Sequence, residues 1–327
     1  MPERQNALTS LLLRSSGIIF FLILWEASSR LRWIDPYFLP RFSVVVAEIG
    51  RLIQDGSLIS NLAISSARAI GGLLIACLVG LPLGFIFGRW FPTAAEALDP
   101  LLRIMSQVNP FLVLMASTLI LGFGETTKFL VIAWVSVWPL LFYTITAVRS
   151  VDPLLIKTAR SMGISESGLL QQILIPASLP TIFTGLRISA GITFFILVAV
   201  EMLNASSGLG YFEHNSAMNF EIAGMYAAAT VIVLLGFLLN RFLIALERSL
   251  FAWRAPADFL LGSVHTDKKR VLWRPGRFAT ATAAVMILLL LISGSFEIQR
   301  VNSERASMLS GENPGKHARH LGSEVGK

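Results

Sequence analysis

Residues 151–180 read V-D-P-L-L-I-K-T-A-R-S-M-G-I-S-E-S-G-L-L-Q-Q-I-L-I-P-A-S-L-P, a polar, turn-rich stretch lodged between long apolar runs. Its local signals are dense. Asp152 is a good N-cap, and Pro153 suits a first helical turn, where the missing N–H costs nothing. Leu155, Ala159 and Met162 then share one helix face, with Lys157, Arg160 and Ser161 turned away. Gly163 is placed to end that helix as a left-handed C′ residue. Ser165 can cap a second short helix running through Gln171, and Pro176 and Pro180 are expected to stop it before the next apolar run. The pattern is helix, glycine, helix. A segment this structured, inside a chain otherwise suited to lipid, is one that another protein can hold; an ordinary loop is the bland alternative.

The rest of the composition sets the solvent. Of 327 residues, 54% are hydrophobic and only 14% charged, with mean hydropathy +0.68. Soluble domains carry roughly 25% charged residues, so the chain reads as a polytopic membrane protein. Its net charge of +7 is then a matter of cytoplasmic loops, and nucleic acid is not an expected partner. Cys77 is the single cysteine and lies in an apolar run, which excludes an intrachain disulfide or a cysteine metal site. The apolar run 17–27 lacks a small-residue cleavage pattern and reads as an uncleaved first span.

Expected spans lie at Leu11–Ala27, Ile70–Phe87, Pro100–Leu121, Phe129–Val148, Ile182–Leu203 and Ala223–Ile244, with a further one at Phe278–Phe296. Each must be a helix, because lipid offers backbone N–H and C=O groups no partner. There is no ten-residue alternation of a β-barrel and no solenoid repeat. With the N-terminus inside, the inner segments carry Arg4, Arg14, Arg89, Arg149, Lys157, Arg160 and the basic run Arg248–Arg277. The outer ones carry Arg30, Arg32, Arg41, Arg51, Arg68 and Lys128. The bias favours this orientation, and the arginines after the first span count against it. Val44, Val45, Ile49 and Leu52 give residues 41–58 the spacing of an amphipathic helix lying in the interface, which would blunt that count.

K-T-A-R-S-M-G from Lys157, followed by I-L-I-P and S-L-P, resembles the E-A-A-x-x-x-G…I-x-L-P loop of permease subunits from bacterial ABC importers. L-P-R-F-S-V-V near Leu39, G-L-P-L-G at Gly80, V-R-S-V-D-P at Val148 and S-S-G-L-G-Y at Ser206 are similar to the aliphatic sulfonate, taurine and nitrate branch. The resemblance runs from about Leu39 to Trp253. It implies an all-α fold with a six-helix permease core, here followed by a seventh C-terminal span. It also implies that the loop seats in a groove of an ATPase subunit through Lys157, Thr158, Ala159, Gly163, Ile173 and Pro176. The family's leading Glu and first Ala are Lys157 and Thr158 here, which leaves the polarity of docking open. A pair of permease chains, a pair of ATPase subunits and a periplasmic solute-binding protein are the implied assembly in a bacterial inner membrane. The implied divisions are residues 1–60 for the first span and interfacial segment, 61–253 for the permease core with its coupling loop at 151–180, 254–277 for a basic cytoplasmic linker, 278–296 for the extra span and 297–327 for a disordered tail.

No G-x-x-x-x-G-K-[ST], H-E-x-x-H or G-x-S-x-G occurs in the sequence, so an ATP-driven chain of this kind needs its engine in another subunit, and no cofactor or metal is expected. Gly72, Ala76, Gly80, Gly84 and Gly88, each four apart, line one helix face and read as a close-packing ribbon, with a direct part in gating as the alternative. Gln107, Asn109 and Pro110 sit near the middle of the third span and fit either a pathway lining or a packing break. Glu201 lies near the outer end of the fifth span, as a pathway residue, an interface acid or a structural partner. Arg103 and Arg187 read as snorkelling cations. Trp33, Trp90, Trp134, Trp138 and Trp253 read as belt or packing aromatics. His214 lies in an outer loop without Lys or Arg, and His317 and His320 lie in the tail. Two rivals differ in kind. A stand-alone secondary transporter or channel would be expected to show inverted repeats. A membrane enzyme would need clustered His, Asp or Glu near a span. Neither is visible, and the sequence does not name the solute.

Overall fold

The structure, a computed structural model, describes residues 2–251 and Ile298. The basic linker, the seventh span Phe278–Phe296, the tail apart from Ile298, and Trp253 lie outside the described residues. Among the described residues there are helices and no strand. In chain order they are α1 (Pro2–Arg30), α2 (Phe42–Gln54), α3 (Ser57–Phe85), α4 (Pro92–Ser106), α5 (Pro110–Leu121), α6 (Glu125–Arg149), α7 (Pro153–Ser161), α8 (Glu166–Leu169), α9 (Ile175–Asn204), α10 (Leu209–Met218) and α11 (Ile222–Leu250). Short π-helical turns, Ile86–Trp90 and Leu170–Leu174, follow α3 and precede α9.

Four stretches among the described residues are long and apolar enough to cross a membrane: Ser57–Trp90, Glu125–Arg149, Glu166–Asn204 and Ile222–Glu247. A fifth arises if α4 and α5, bent by 81° at their junction, count as one span. α1, which holds the expected first span, is not among them, although Ile18, Phe20, Phe21 and Ile23 on it are exposed. Many other large apolar side chains point outward, among them Leu78, Leu119, Phe195 and Val233. Such a surface would aggregate in water and is at home against lipid tails.

Three sequence expectations change here. The third span is not continuous, because Asn109 caps a new helix by accepting from Phe111 N at 2.9 Å and Pro110 starts it in a new direction. Pro176 and Pro180 do not stop the helix that precedes them; Glu166–Asn204 runs on through both. The π-helical turn just before Pro176 widens the backbone where the proline ring would strike a carbonyl one turn back. The second span starts at Ser57, well before Ile70, because Asn61, Ser65, Ser66 and Arg68 on its first turns face protein rather than lipid.

α6 is the centre of the bundle and presents a different face to each neighbour. Against one face lies the ribbon of α3. A Cβ added at Gly72 or Gly84 would overlap Ile132 or Thr144, and one at Gly88 would come within 2.9 Å of Val148 Cβ. Ala76, between them, is buried. Against a second face lies α9, where a Cβ on Gly185 would overlap Tyr143 and where Ser136 and Thr193 share a hydroxyl hydrogen bond of 2.5 Å. Lipid tails give helices no hydrophobic drive to associate, so close backbone approach and buried hydroxyl pairs must do that work. Val131, Ile132, Ile196, Leu197 and Val200 fill the space between. α2 is the expected amphipathic helix, but its apolar face is covered by protein: Val45 and Leu52 pack with Leu209 and Ala227.

Gly84→Leu is expected to wedge α3 from α6 and destabilise the fold by about 1–3 kcal/mol, as overpacking typically does. Thermal unfolding in detergent checks it, with lipid-facing Leu78→Ala as the variant that leaves the midpoint unchanged.

Candidate functional site

Residues 152–174 form a compact knuckle at one end of the bundle. The Asp152 side chain accepts from Leu154 N at 2.8 Å, and Ser165 Oγ accepts from Gly168 N at 3.3 Å, so both short helices are capped. Gly163 sits between them at φ +77°, a conformation that penalises any residue with a Cβ. Ala159, Leu169 and Leu174 are buried with Val148, and Ile156, Ile164 and Ile173 pack at the edge, so the knuckle has its own small core against the end of α6. Lys157, Thr158 and Pro176 are exposed. Leu155 and Met162 do not join Ala159 on a buried face; with Leu154 they project outward, Met162 74% exposed. The register of α7 is turned so that Ile156 and Ala159 face the core. Glu166 ties the knuckle to the bundle, accepting from Arg160 at 2.7 Å and from Arg89 at 3.0 Å.

At mid-length of α6 the bend between α4 and α5 leaves a half-open cavity of about 570 Å³. Its lining includes Arg103, Gln107, Pro110, Trp134, Trp138 and Phe142. Trp134, Trp138 and Phe142 are four residues apart and occupy the third face of α6, the one that neither α3 nor α9 covers. Gln107 and Pro110 reach this cavity, while Asn109 is spent on capping α5. Arg103 is not a simple snorkelling cation, since it lies over the Phe142 ring at 5.7 Å and pairs with Asp99 at 2.6 Å. Arg187 likewise pairs with Glu247 at 2.8 Å.

Glu201 does not line this cavity; it lies in a buried cluster of charges. Its side chain is 0% exposed, and beside it Arg68 is the largest fully buried side chain. Arg68 Nη1 donates to Glu201 Oε1 at 2.8 Å, while Nε and Nη2 donate to the Glu125 carboxylate at 2.7 Å. Lys128 Nζ donates to Glu125 at 2.6 Å. Two cations and two acids thus neutralise one another at the ends of α3, α6 and α9. The same side chains hold the chain after α9. Ser207 O accepts from Arg68 at 2.6 Å, Gly208 N donates to Asn61 Oδ1 at 2.7 Å, Leu209 N to Ser65 Oγ at 2.8 Å and Gly210 N to Glu201 Oε2 at 3.0 Å. A Cβ on Gly208 (φ +111°) would overlap the Glu201 carboxylate, so the S-S-G-L-G stretch is shaped to this acid. The partners Arg68, Glu125 and Lys128 were not legible beforehand. The available signal was Asn61, Ser65 and Arg68 recurring on one face of an apolar helix.

Residues 80–252, spanning the ribbon from Gly80 onward, the bent pair, the knuckle and the Glu201 loop, match the family described as binding-protein-dependent transport system inner membrane component. The chain belongs to that family. It is an ABC importer permease, similar to the taurine transport system permease protein TauC of Escherichia coli, with 32% identity over 237 residues, 71% of this chain and 86% of TauC. It is also similar to the bicarbonate transport system permease protein CmpB of Synechococcus elongatus, with 28% identity over 257 residues, 76% of this chain and 92% of CmpB. The fold is shared with the permease of the inward-facing MetNI methionine ABC transporter at TM-score 0.53 and 16% identity, over 59% of this chain and 95% of that one.

Arg68→Ala strands the buried Glu201 carboxylate, while Glu125 keeps Lys128, and is expected to lower stability by about 3–5 kcal/mol. Glu125→Gln, at a half-buried site, is expected to lower it by less. Unfolding midpoints of the purified chain read both, and Arg68→Ala melting like the unmodified chain would show that the ion cluster does not hold the fold.

Proposed function

We propose that this permease forms the membrane pathway of an ATP-driven importer for a small solute such as a sulfonate, taurine or nitrate. A periplasmic binding protein delivers the solute, and ATPase subunits seat on the knuckle formed by α7 and α8. The observation that carries this reading is the knuckle itself. Its fold is fixed from within by two caps, one left-handed glycine and a buried Ala159, yet it turns Leu154, Leu155 and Met162 outward beside Lys157 and Thr158. An apolar patch rimmed by polar groups, outside the spans, suits a protein partner. The names of TauC and CmpB, for taurine and bicarbonate, support a small solute bearing an acidic group.

In this reading two copies of the chain face one another around the pathway. Arg89, Arg149, Lys157 and Arg160 gather at the knuckle end, which supports placing that end and the N-terminus in the cytoplasm. ATP-driven closure of the ATPases moves each knuckle and biases the bundle between inward- and outward-open arrangements. The permease itself makes and breaks no covalent bond. Selectivity rests first with the binding protein, and the Ala205–Met218 region, with its half-buried Glu213 and His214, is the surface offered to it. A stand-alone transporter has no such use for an outward-facing apolar knuckle.

Two measurements test this. Cysteines placed at Leu155 or Met162 are expected to crosslink to a nucleotide-hydrolysing polypeptide in native membranes; failure to trap one at either position sinks the reading. Gly163→Pro cannot adopt φ +77° and also removes the N–H that bonds Arg160 O at 3.0 Å, so uptake by the reconstituted assembly is expected to vanish while membrane insertion persists. Uptake by the permease alone, without nucleotide, would favour the stand-alone transporter.

A further inference from the structure

The cavity beside α6 has a chemistry that the knuckle does not explain. Its aromatic wall is ordered: Trp134 and Trp138 meet edge-on at 5.1 Å between centroids, and Trp138 and Phe142 stack at 6.5 Å. Trp138 Nε1 is buried and has no hydrogen-bond partner among the described residues. The opposite wall comes from the bend between α4 and α5, which brings Arg103, Ser106 and Gln107 to the same space. Arg103 is the one charged residue in the lining. Its partner Asp99 is an exposed neighbour one turn back on the same helix, the weakest kind of ion pair.

We infer that this cavity is a transient binding site for a small organic anion, with Arg103 holding the acidic head, Gln107 donating to it, and Trp134 and Trp138 covering the short apolar tail. The site lies within the pathway proposed above and rests on that reading. Three features choose an anion over a cation. No acidic side chain lines the cavity. The Phe142 face of that aromatic wall is already occupied by the Arg103 guanidinium, whose positive charge would repel an ammonium guest beside it. The Arg103–Asp99 pair can exchange its exposed carboxylate for a sulfonate or carboxylate of the guest at little net cost, because both present the same charged oxygens to the guanidinium. Modest affinity is what a carrier needs at this depth. A tightly held solute would not leave.

The probe is radiolabelled ethanesulfonate, measured by equilibrium binding to the full chain, assembled with its partner subunits in lipid nanodiscs and without any binding protein. Saturable binding is expected. Arg103→Gln is expected to weaken it about tenfold or more, the loss of one charge-assisted contact. Arg103→Lys, which keeps the charge, is expected to retain most of it. Trp138→Ala is expected to weaken binding several-fold and Trp138→Phe much less. Tetramethylammonium is expected not to compete. Gln107→Leu, which leaves every described ion pair in place, gives a second variant should Arg103→Gln fail to fold, and it too is expected to bind more weakly. No saturable binding to the unmodified assembly, equal binding by Arg103→Gln, or displacement by tetramethylammonium would overturn the site. ATP dependence of uptake is scored separately, so loss of the importer reading and loss of this site are distinguishable.

Discussion

The structure depends on how α6 is gripped. In lipid, apolar side chains gain nothing by leaving one hydrocarbon for another, so helices hold together through backbone proximity and buried polar contacts. α3 supplies proximity through Gly72 and Gly84, the π-helical turn after it through Gly88, and α9 through Gly185. Between them the two neighbours fix α6 on two sides and leave its third side to Trp134, Trp138 and Phe142. The cavity, the broken helix beside it and the knuckle packed on the end of α6 are all placed by this arrangement.

The buried charges are the polar counterpart of that grip. A lone ion inside a bundle is expensive, and a pair repays its desolvation only with good geometry and further hydrogen bonds. Arg68 has both, meeting Glu125 with two nitrogens and Glu201 and Ser207 O with the third. Three of the five arginines that spoil the simple charge count along the sequence are similarly answered: Arg30 by Glu26, Arg51 by Glu48 and Asp55, Arg68 by Glu125 and Glu201.

What was legible in the sequence follows the range of the forces involved. The caps at Asp152 and Ser165 and the turn at Gly163 are local chemistry, visible in a window of a few residues, and they stand where the sequence puts them. The ribbon of α3 shows in its spacing, although the spacing alone does not say that α6 receives it. Hydropathy carried the third span straight through Asn109 and Pro110, because an average over many residues cannot see one capped bend. The prolines at 176 and 180 misled for the opposite reason: their local meaning is to stop a helix, and a π-helical turn removes the clash. The Arg68–Glu201 pair joins residues 133 positions apart, and no local pattern announces such a partner. The orientation of Leu155 and Met162 was misread because the core that α7 packs on is assembled from distant helices.

The uninterrupted run from Glu166 to Asn204 has a mechanical consequence. One end is fastened into the knuckle by Arg89 and Arg160, and the other is fastened by Glu201 into the ion cluster. At about 1.5 Å per residue this is one helical run of roughly 58 Å, with its π-helical turn and both prolines gathered toward the knuckle end. Beyond Pro180 it is regular helix as far as the ion cluster, so the knuckle and that cluster are joined by covalent continuity, without a relay of side chains between them.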